Sequence, residues 1–518
     1  MCSIINHCNK YSNQLVSCGK NIITYLGLII VSLLSLASLL FSVTFPTTYA
    51  ETPLFSLRHA IVASTLCVLL LLCWFRCSKI LDFPNNVVIR YVAIYTIIVG
   101  TLWAVIVNLH PVADQQAVAW YGQQLSQHNK TAFSNLYIQQ YPHQLGYILF
   151  YAGFGSLFGF SNWTAIRLFN VIMAAIALCT LCKLTEIMFV SKKIVLICSF
   201  LCMSFLPFIF FSNFIYGNIP SVSFCLLACL IQQRALSCEH ISKILMHSFL
   251  CAICLFFGIW FKPNGLIFII GIEIIWITYT LINHQITYLA AAGACLIMYV
   301  LGSVLPVTIV SSYTGISFNN STPKIAWIAM GLQESPLAPG WYNSYVTEVY
   351  TQANGNPSVV KALAKNAIQE RTAHFMRHPK DALRFFSHKE ITQWADPTFE
   401  SLWTAFGSIK NEELSKDSLL QQSFHHGLLR NIYILWCDII QSIIYIGAAI
   451  TLIMCRKHWQ PQQLELLLIF IGGFIFHTIW EAKSDYVLSY FILLLPYSAA
   501  GLHVLRFKHH TSPDICIA

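Results

Sequence analysis

The chain has 518 residues, 57% of them hydrophobic and only 10% charged, with a mean hydropathy of +0.64. A soluble domain carries roughly 25% charged residues, so a soluble enzyme or binding module is excluded and a polytopic membrane protein is indicated. The net charge of +9 sits in short Lys/Arg clusters between apolar runs, the pattern of loops facing anionic lipid, and no nucleic-acid partner is expected.

No cleavable signal peptide is expected, because the first apolar run is long, lacks a small-residue cleavage site and is followed by further spans. About 20 apolar residues cross a hydrocarbon core. That rule predicts about twelve spans, near 22–45, 60–77, 91–109, 163–182, 194–213, 219–235, 244–261, 264–283, 286–310, 431–455, 462–480 and 486–506. A thirteenth stretch, 145–159, is short and carries Gly153, Gly155 and Gly159. The expected fold class is an all-α polytopic membrane protein, with about 12 transmembrane helices and a partly helical extracytoplasmic domain. Residues 1–310 form an N-terminal transmembrane module with a catalytic first large outer loop (110–162). Residues 311–430 form the extracytoplasmic loop domain, and 431–518 hold the C-terminal transmembrane helices.

Basic residues orient these spans. One alternating assignment puts Lys10, Lys20, Arg76, Lys79, Arg90, Lys183, Lys192, Lys193, Arg234, Lys243, Arg456, Lys457, Arg506 and Lys508 inside, leaving Arg58, Lys130, Lys262 and Lys483 in short outer loops. It requires 145–159 not to cross. Both termini are then cytoplasmic and the loop holding Asp114 is extracytoplasmic. From Ser358 the long outer segment reads VVKALAKNAIQERTAHFMRHP and then KDALRFFSHKEITQWADPTFESLW. Both stretches have helical periodicity and are amphipathic, basic and aromatic, and are expected to rest on the outer membrane face.

The pairs Cys179/Cys182, Cys198/Cys202, Cys225/Cys229 and Cys251/Cys254 lie at helical spacing in apolar segments. They read as small helix-packing residues, and no metal ligand is assigned. There is no P-loop, G-x-S-x-G or H-E-x-x-H, so ATP-driven transport, serine hydrolysis and zincin chemistry lack their parts.

The assignment gathers polar groups on one side: Asp114, Tyr141, His143 and Gln144; Asn213, Tyr216 and Asn218; Lys262 and Asn264; Glu334; Lys389; and the Glu481–Tyr486 loop. This set suits sugar transfer from a polyprenyl phosphate. The acceptor hydroxyl needs a base, for which Asp114 is placed, and the leaving phosphate needs cations, for which Lys262, Lys389 and Lys483 are available.

Four stretches carry a family resemblance: Asp114 with YPHQLGYILF, FKPNG at 261–265, IAWIAMGL…GWYN at 325–343, and GGFIFHTIWEAKSDYVLSYFILLLPYSAAGL at 472–502. In order and spacing the chain resembles the GT-C superfamily of membrane glycosyltransferases, of the protein O-mannosyltransferase-like and aminoarabinose-transferase-like branch, Gram-positive bacterial type. The resemblance implies a polyprenyl-phosphate-sugar donor, inversion at the anomeric carbon and Asp114 as base. Substrate contacts are expected from Tyr141, His143, Gln144, Tyr216, Asn218, Glu334, Trp341, Asn343, Trp394, Glu481 and Tyr486. The acceptor is a glycan, a teichoic-type polymer or a protein, and a divalent cation is left open as cofactor. Two positions depart from the family. Gln115 and Gln116 follow Asp114 where a second acid is common, and Asp485 precedes Tyr486 where an Arg is common. Lys483 or Lys262 must then replace that Arg. Two other readings stand beside this one: a transporter or flippase of a lipid-linked glycan, and a catalytically inactive accessory subunit.

Overall fold

The computed structural model describes residues 2–46, 51–76, 82–406 and 418–506. Lys79 and Lys508, both expected on the inner side, lie outside the described residues. Eleven helices there are long and apolar enough to cross a membrane: Ser12–Leu40, Leu57–Arg76, Asn85–Val107, Trp163–Phe189, Asn218–Leu236, Ile241–Phe261, Pro263–Asn283, Ile286–Thr314, Leu428–Cys455, Pro461–Ile479 and Ser484–Leu505. A bent pair, Lys192–Ser204 with Leu206–Asn213, makes a twelfth.

The sequence predicts one span here, 194–213, and the structure bends it by 54°. Pro207 removes a backbone donor and crowds the carbonyl one turn earlier, and the chain leaves helical geometry at Phe205 (φ −82°, ψ 72°). The stretch after His143 forms a helix, Leu145–Phe158, of 14 residues. At 1.5 Å per residue that is about 21 Å, too short for a hydrocarbon core of about 30 Å.

The buried centre is built by Asn218–Leu236, Leu428–Cys455 and the last span, while Leu57–Arg76 and Ile286–Thr314 show most of their apolar surface outward. Small residues let the central helices touch. A Cβ on Gly501 would lie 1.9 Å from the Gly447 carbonyl oxygen, and Thr451 Oγ1 donates to the Tyr497 carbonyl (2.6 Å) at the same crossing. Gly501→Ala should therefore lower the thermal midpoint, with a cost of about 1–3 kcal/mol from overpacking. Gly153→Ala, which would meet nothing within 4 Å, should leave it unchanged. Equal midpoints for the two variants would refute this crossing.

Outside the spans, a two-residue antiparallel ribbon pairs Val43 with Phe55 and Thr44 with Leu54. The helix Pro357–Arg377 buries only Val360 and Ala364. The next helix, Pro379–Trp394, departs from the expected position on the membrane face. Its last turn drives into the bundle, where Lys389, Thr392, Gln393 and Trp394 are fully buried. The segment that follows is buried too. Asp396 holds its turn by accepting from the backbone N–H of Thr398 (2.9 Å) and of Glu400 (2.8 Å), and Phe399 packs on Phe205 and Phe491.

Candidate functional site

Asp114 opens the helix Asp114–Ser126, where a negative charge is favourably placed against the helix dipole. The residue before it, Ala113, is held at φ +52°, a conformation costly for any residue with a Cβ and one that clusters at functional sites. Gln115 is buried. Its Oε1 accepts from Ile215 N (2.8 Å) and its Nε2 faces the Thr404 carbonyl (3.5 Å). An amide can accept and donate there at once, whereas a carboxylate would be repelled by the carbonyl, which explains why no second acid follows Asp114.

From Asp114 a chain of polar contacts runs inward. Asn135 caps the short helix Leu136–Gln140 by accepting from Tyr137 N (3.0 Å), which fixes the Tyr137 ring. The Tyr137 hydroxyl donates to Asp114 Oδ1 (2.9 Å) and lies 3.1 Å from Gln144 Oε1, while the Gln144 amide also reaches the Tyr216 hydroxyl. Tyr137 has one proton and an ionised Asp114 only accepts. The chain is satisfied throughout when Gln144 turns its nitrogen to Tyr137 and its oxygen to the hydroxyl of Tyr216.

Lys262 closes this row. Pro263 forces the residue before it out of helical geometry, so Lys262 is extended (φ −155°, ψ 122°). Its Nζ lies 3.9 Å from the Tyr216 ring centroid and 6.0 Å from that of Tyr486. Gly217 makes the approach possible. It sits at φ +82°, and a Cβ there would fall 2.5 Å from the Phe261 carbonyl oxygen. Burial pushes the Lys262 ammonium down to about 8, against the pull of Asp485 and Asp114. Among the described residues it has no ion-pair or hydrogen-bond partner.

The other two expected phosphate ligands are committed elsewhere. Lys389 Nζ donates to three carbonyls, those of Gly331 (2.6 Å), Thr478 (3.0 Å) and Trp480 (2.6 Å). All three of its N–H groups are used, so it is a structural pin. Lys483 pairs with Glu51 and lies 3.6 Å from Glu400. Burial works against its charge, but Glu51, Glu400 and Asp485 outweigh it and hold Lys483 well above the usual lysine range. The same loop is stapled down by Ser484, whose N–H donates to Glu400 Oε1 (3.0 Å) and whose Oγ donates to Asp396 Oδ2 (2.8 Å). Glu481 is 9% exposed, and burial pushes its carboxyl up to about 8. The shift favours the protonated carboxyl, which can donate a hydrogen bond.

The structure brings together Asp114, Gln144, Tyr216, Lys262, Glu481 and Tyr486. Asn218 lines a cavity of about 20 Å³ shared with Lys262 and Tyr486. Tyr141 and His143 stand at the rim against Trp327, which stacks on Trp480. Beside them a groove of about 370 Å³ passes His143, Trp260, Tyr299, Lys324 and Trp327.

The remaining expected contacts are not part of this gathering. Trp394 is fully buried against Phe470 and Phe474. Trp341 is buried against Phe45 and donates to Thr392 Oγ1 (3.0 Å). Glu334 is exposed and paired with Arg371 (2.7 Å), and Asn343 binds Gln333 and the Glu334 carbonyl. Their aromatic and polar types suited sugar binding, but the structure spends Trp394 on packing against the bundle and Trp341, Glu334 and Asn343 on contacts within residues 311–406 and with Phe45.

Residues 15–502 match the family described as conserved hypothetical integral membrane protein. The chain belongs to this family. It is thus a multi-pass membrane protein, as its helices already indicate. No curated protein matches this family member in sequence. Solved structures also resemble it. One is the oligosaccharyltransferase of Archaeoglobus fulgidus in the apo form, at 15% identity and TM-score 0.41, over 81% of this chain and 51% of that one. Another is the archaeal oligosaccharyltransferase AglB from Archaeoglobus fulgidus in complex with an inhibitory peptide and a dolichol-phosphate, at 12% identity and TM-score 0.40, over 80% and 50%. The chain spans about half the length of these proteins.

Four residues of the integral membrane family member went unmarked in the sequence: Tyr137, Glu51, Asp396 and Glu400. The density of Tyr and Gln in NLYIQQYPHQ was a signal for Tyr137. Asp396 and Glu400 fall in the stretch expected to rest on the outer membrane face, and nothing local foretells their burial.

Proposed function

We propose that the protein transfers a sugar from a polyprenyl-phosphate-linked donor to an acceptor hydroxyl at the extracytoplasmic face of the membrane. Asp114 takes the hydroxyl proton as the acceptor oxygen attacks the anomeric carbon. The bond from that carbon to the phosphate oxygen breaks with inversion, and the lipid phosphate leaves with its new negative charge facing Lys262. Glu481, whose carboxyl burial pushes toward its protonated form, donates to a donor oxygen. The apolar groove beside Trp260 and Tyr299 gives the isoprenoid tail a path from the bilayer.

The observation that carries this reading is Lys262. Of the three lysines in question it is the one left without a partner among the described residues, and it shares one row of contacts with the exposed Asp114. A charge-assisted contact to phosphate contributes about 1.5–3 kcal/mol. Lys262→Gln should therefore weaken binding of a polyprenyl phosphate, measured on the purified protein, by about ten- to hundredfold. Binding as tight as wild type would remove Lys262 from this role.

The pH dependence follows. Lys262 is charged below about 8 and neutral above, so polyprenyl-phosphate binding should hold at pH 7 and fall as pH rises through about 8. Lys262→Arg, which stays charged, should move that limb upward. A limb unmoved by the substitution would assign it to another group.

A further inference from the structure

At the end of the bundle opposite Asp114, three membrane helices surround a cavity of about 480 Å³ lined by Lys183, Glu186, Leu230, Arg234, Ser237 and His247. The helix Asn218–Leu236 runs from the Lys262 site to this cavity. At 1.5 Å per residue, Asn218 and Arg234 are about 24 Å apart, so the cavity lies at the other leaflet.

Its charges are unevenly spent. Lys183 Nζ pairs with Glu186 (2.8 Å) and donates to Asn86 Oδ1 (2.8 Å), and Glu186 also accepts from Asn85 (2.8 Å). The Arg234 side chain is exposed and its guanidinium has no acceptor among the described residues. His247 engages the Lys243 carbonyl through Nδ1 (2.7 Å), which leaves Nε2 as the uncommitted ring nitrogen. The cavity therefore offers one unpaired guanidinium and one free imidazole nitrogen, with Ile187 and Leu230 as apolar wall. Next to it the helix Ile241–Phe261 turns Met246 (53% exposed) and Phe249 (56% exposed) toward the bilayer.

We propose that this cavity binds the phosphodiester headgroup of an anionic phospholipid. The planar guanidinium of Arg234 presents a fork matched to two phosphate oxygens, and His247 Nε2, the acceptor nitrogen while Nδ1–H donates to the Lys243 carbonyl, takes a hydrogen bond from a headgroup hydroxyl. The acyl chains lie against the exposed apolar face beside the cavity. A soluble anion would gain only the charged contacts, whereas a phospholipid gains the apolar wall as well. Basic pockets between membrane helices bind anionic headgroups on these terms. The proposal is independent of the glycosyl-transfer reading.

The test uses the full-length protein in detergent and native mass spectrometry, with phosphatidylglycerol, phosphatidylcholine and inorganic phosphate as probes. Wild type should retain phosphatidylglycerol in preference to phosphatidylcholine, and millimolar inorganic phosphate should not displace it. Arg234→Gln should weaken retention about fivefold, and His247→Gln should weaken it in the same direction, which keeps the test available if one variant folds poorly. Glu186→Gln should strengthen retention by freeing Lys183, an effect that a purely structural role would not produce. Equal retention of the two lipids, displacement by inorganic phosphate, or an Arg234→Gln protein indistinguishable from wild type would overturn the proposal.

Discussion

Asp114→Asn should abolish sugar transfer while leaving the protein folded in the membrane. Asp114 is exposed and, among the described residues, its side chain accepts one hydrogen bond, from the Tyr137 hydroxyl. An Asn oxygen can accept that bond, so the helix start and the row through Gln144 are preserved. The amide cannot take a proton. Loss of a general base costs about 10²–10⁴ in rate, and the thermal midpoint should not move. Tyr137→Phe should cost less, because it removes the group that aims the carboxylate and keeps the carboxylate itself. The measurement is transfer of labelled sugar from membrane-extracted donor to product, with melting curves alongside. Wild-type turnover in the Asn variant would end the base assignment. Loss of turnover together with an unchanged melting curve and intact polyprenyl-phosphate binding would locate the defect in chemistry.

The second large effect is structural. Lys389→Met keeps the length of the side chain but leaves the carbonyls of Gly331, Thr478 and Trp480 without their donor. Each dry acceptor costs about 1–3 kcal/mol. Relief from burying an amine offsets part of this. Burial already pushes the Lys389 ammonium down to about 7, so the offset is real, and a net loss of about 3 kcal/mol is expected. The readouts are a lower thermal midpoint and earlier proteolysis within residues 311–430. Lys262→Gln should show the reverse pattern, with weak phosphate binding and an unchanged midpoint. If Lys389→Met melted like wild type and lost polyprenyl-phosphate binding, Lys389 would be a ligand and not a pin.

These two lysines show how far the sequence could be read. Both stand in polar surroundings on the same side of the predicted topology, and both suit a phosphate. The Pro263 that follows Lys262 was a legible signal, since it ends the helix and turns the side chain out. Nothing near Lys389 says that three carbonyls from two distant segments converge on it. The helix Pro379–Trp394 has the period of an amphipathic surface helix, but a period tells which face is apolar and not what covers it. Here the bundle covers it, and Trp394 goes to the core with it. Asp396 and Glu400 were missed for a related reason. Their turn is buried because Thr398 within it, and Ser484 and Lys483 from about 85 residues away in sequence, satisfy its charges.

By itself the sequence determined the membrane class, the number and approximate limits of the spans, the shortness of the helix after His143 and the identity of the exposed acid that opens the first loop. Those features are local. A bilayer imposes a length and a hydropathy on each segment separately, and both can be read one segment at a time. Only the tertiary structure decided which polar groups are spent and which are free. It committed Lys389 and Lys483, left Lys262 over the Tyr216 ring, bent the pair at Phe205 and joined Asp114 to Tyr216 through Tyr137 and Gln144. The pairing of buried polar groups is a long-range property. Each is tolerated only when a partner arrives from elsewhere in the chain, and the identity of that partner is written in no single stretch of it.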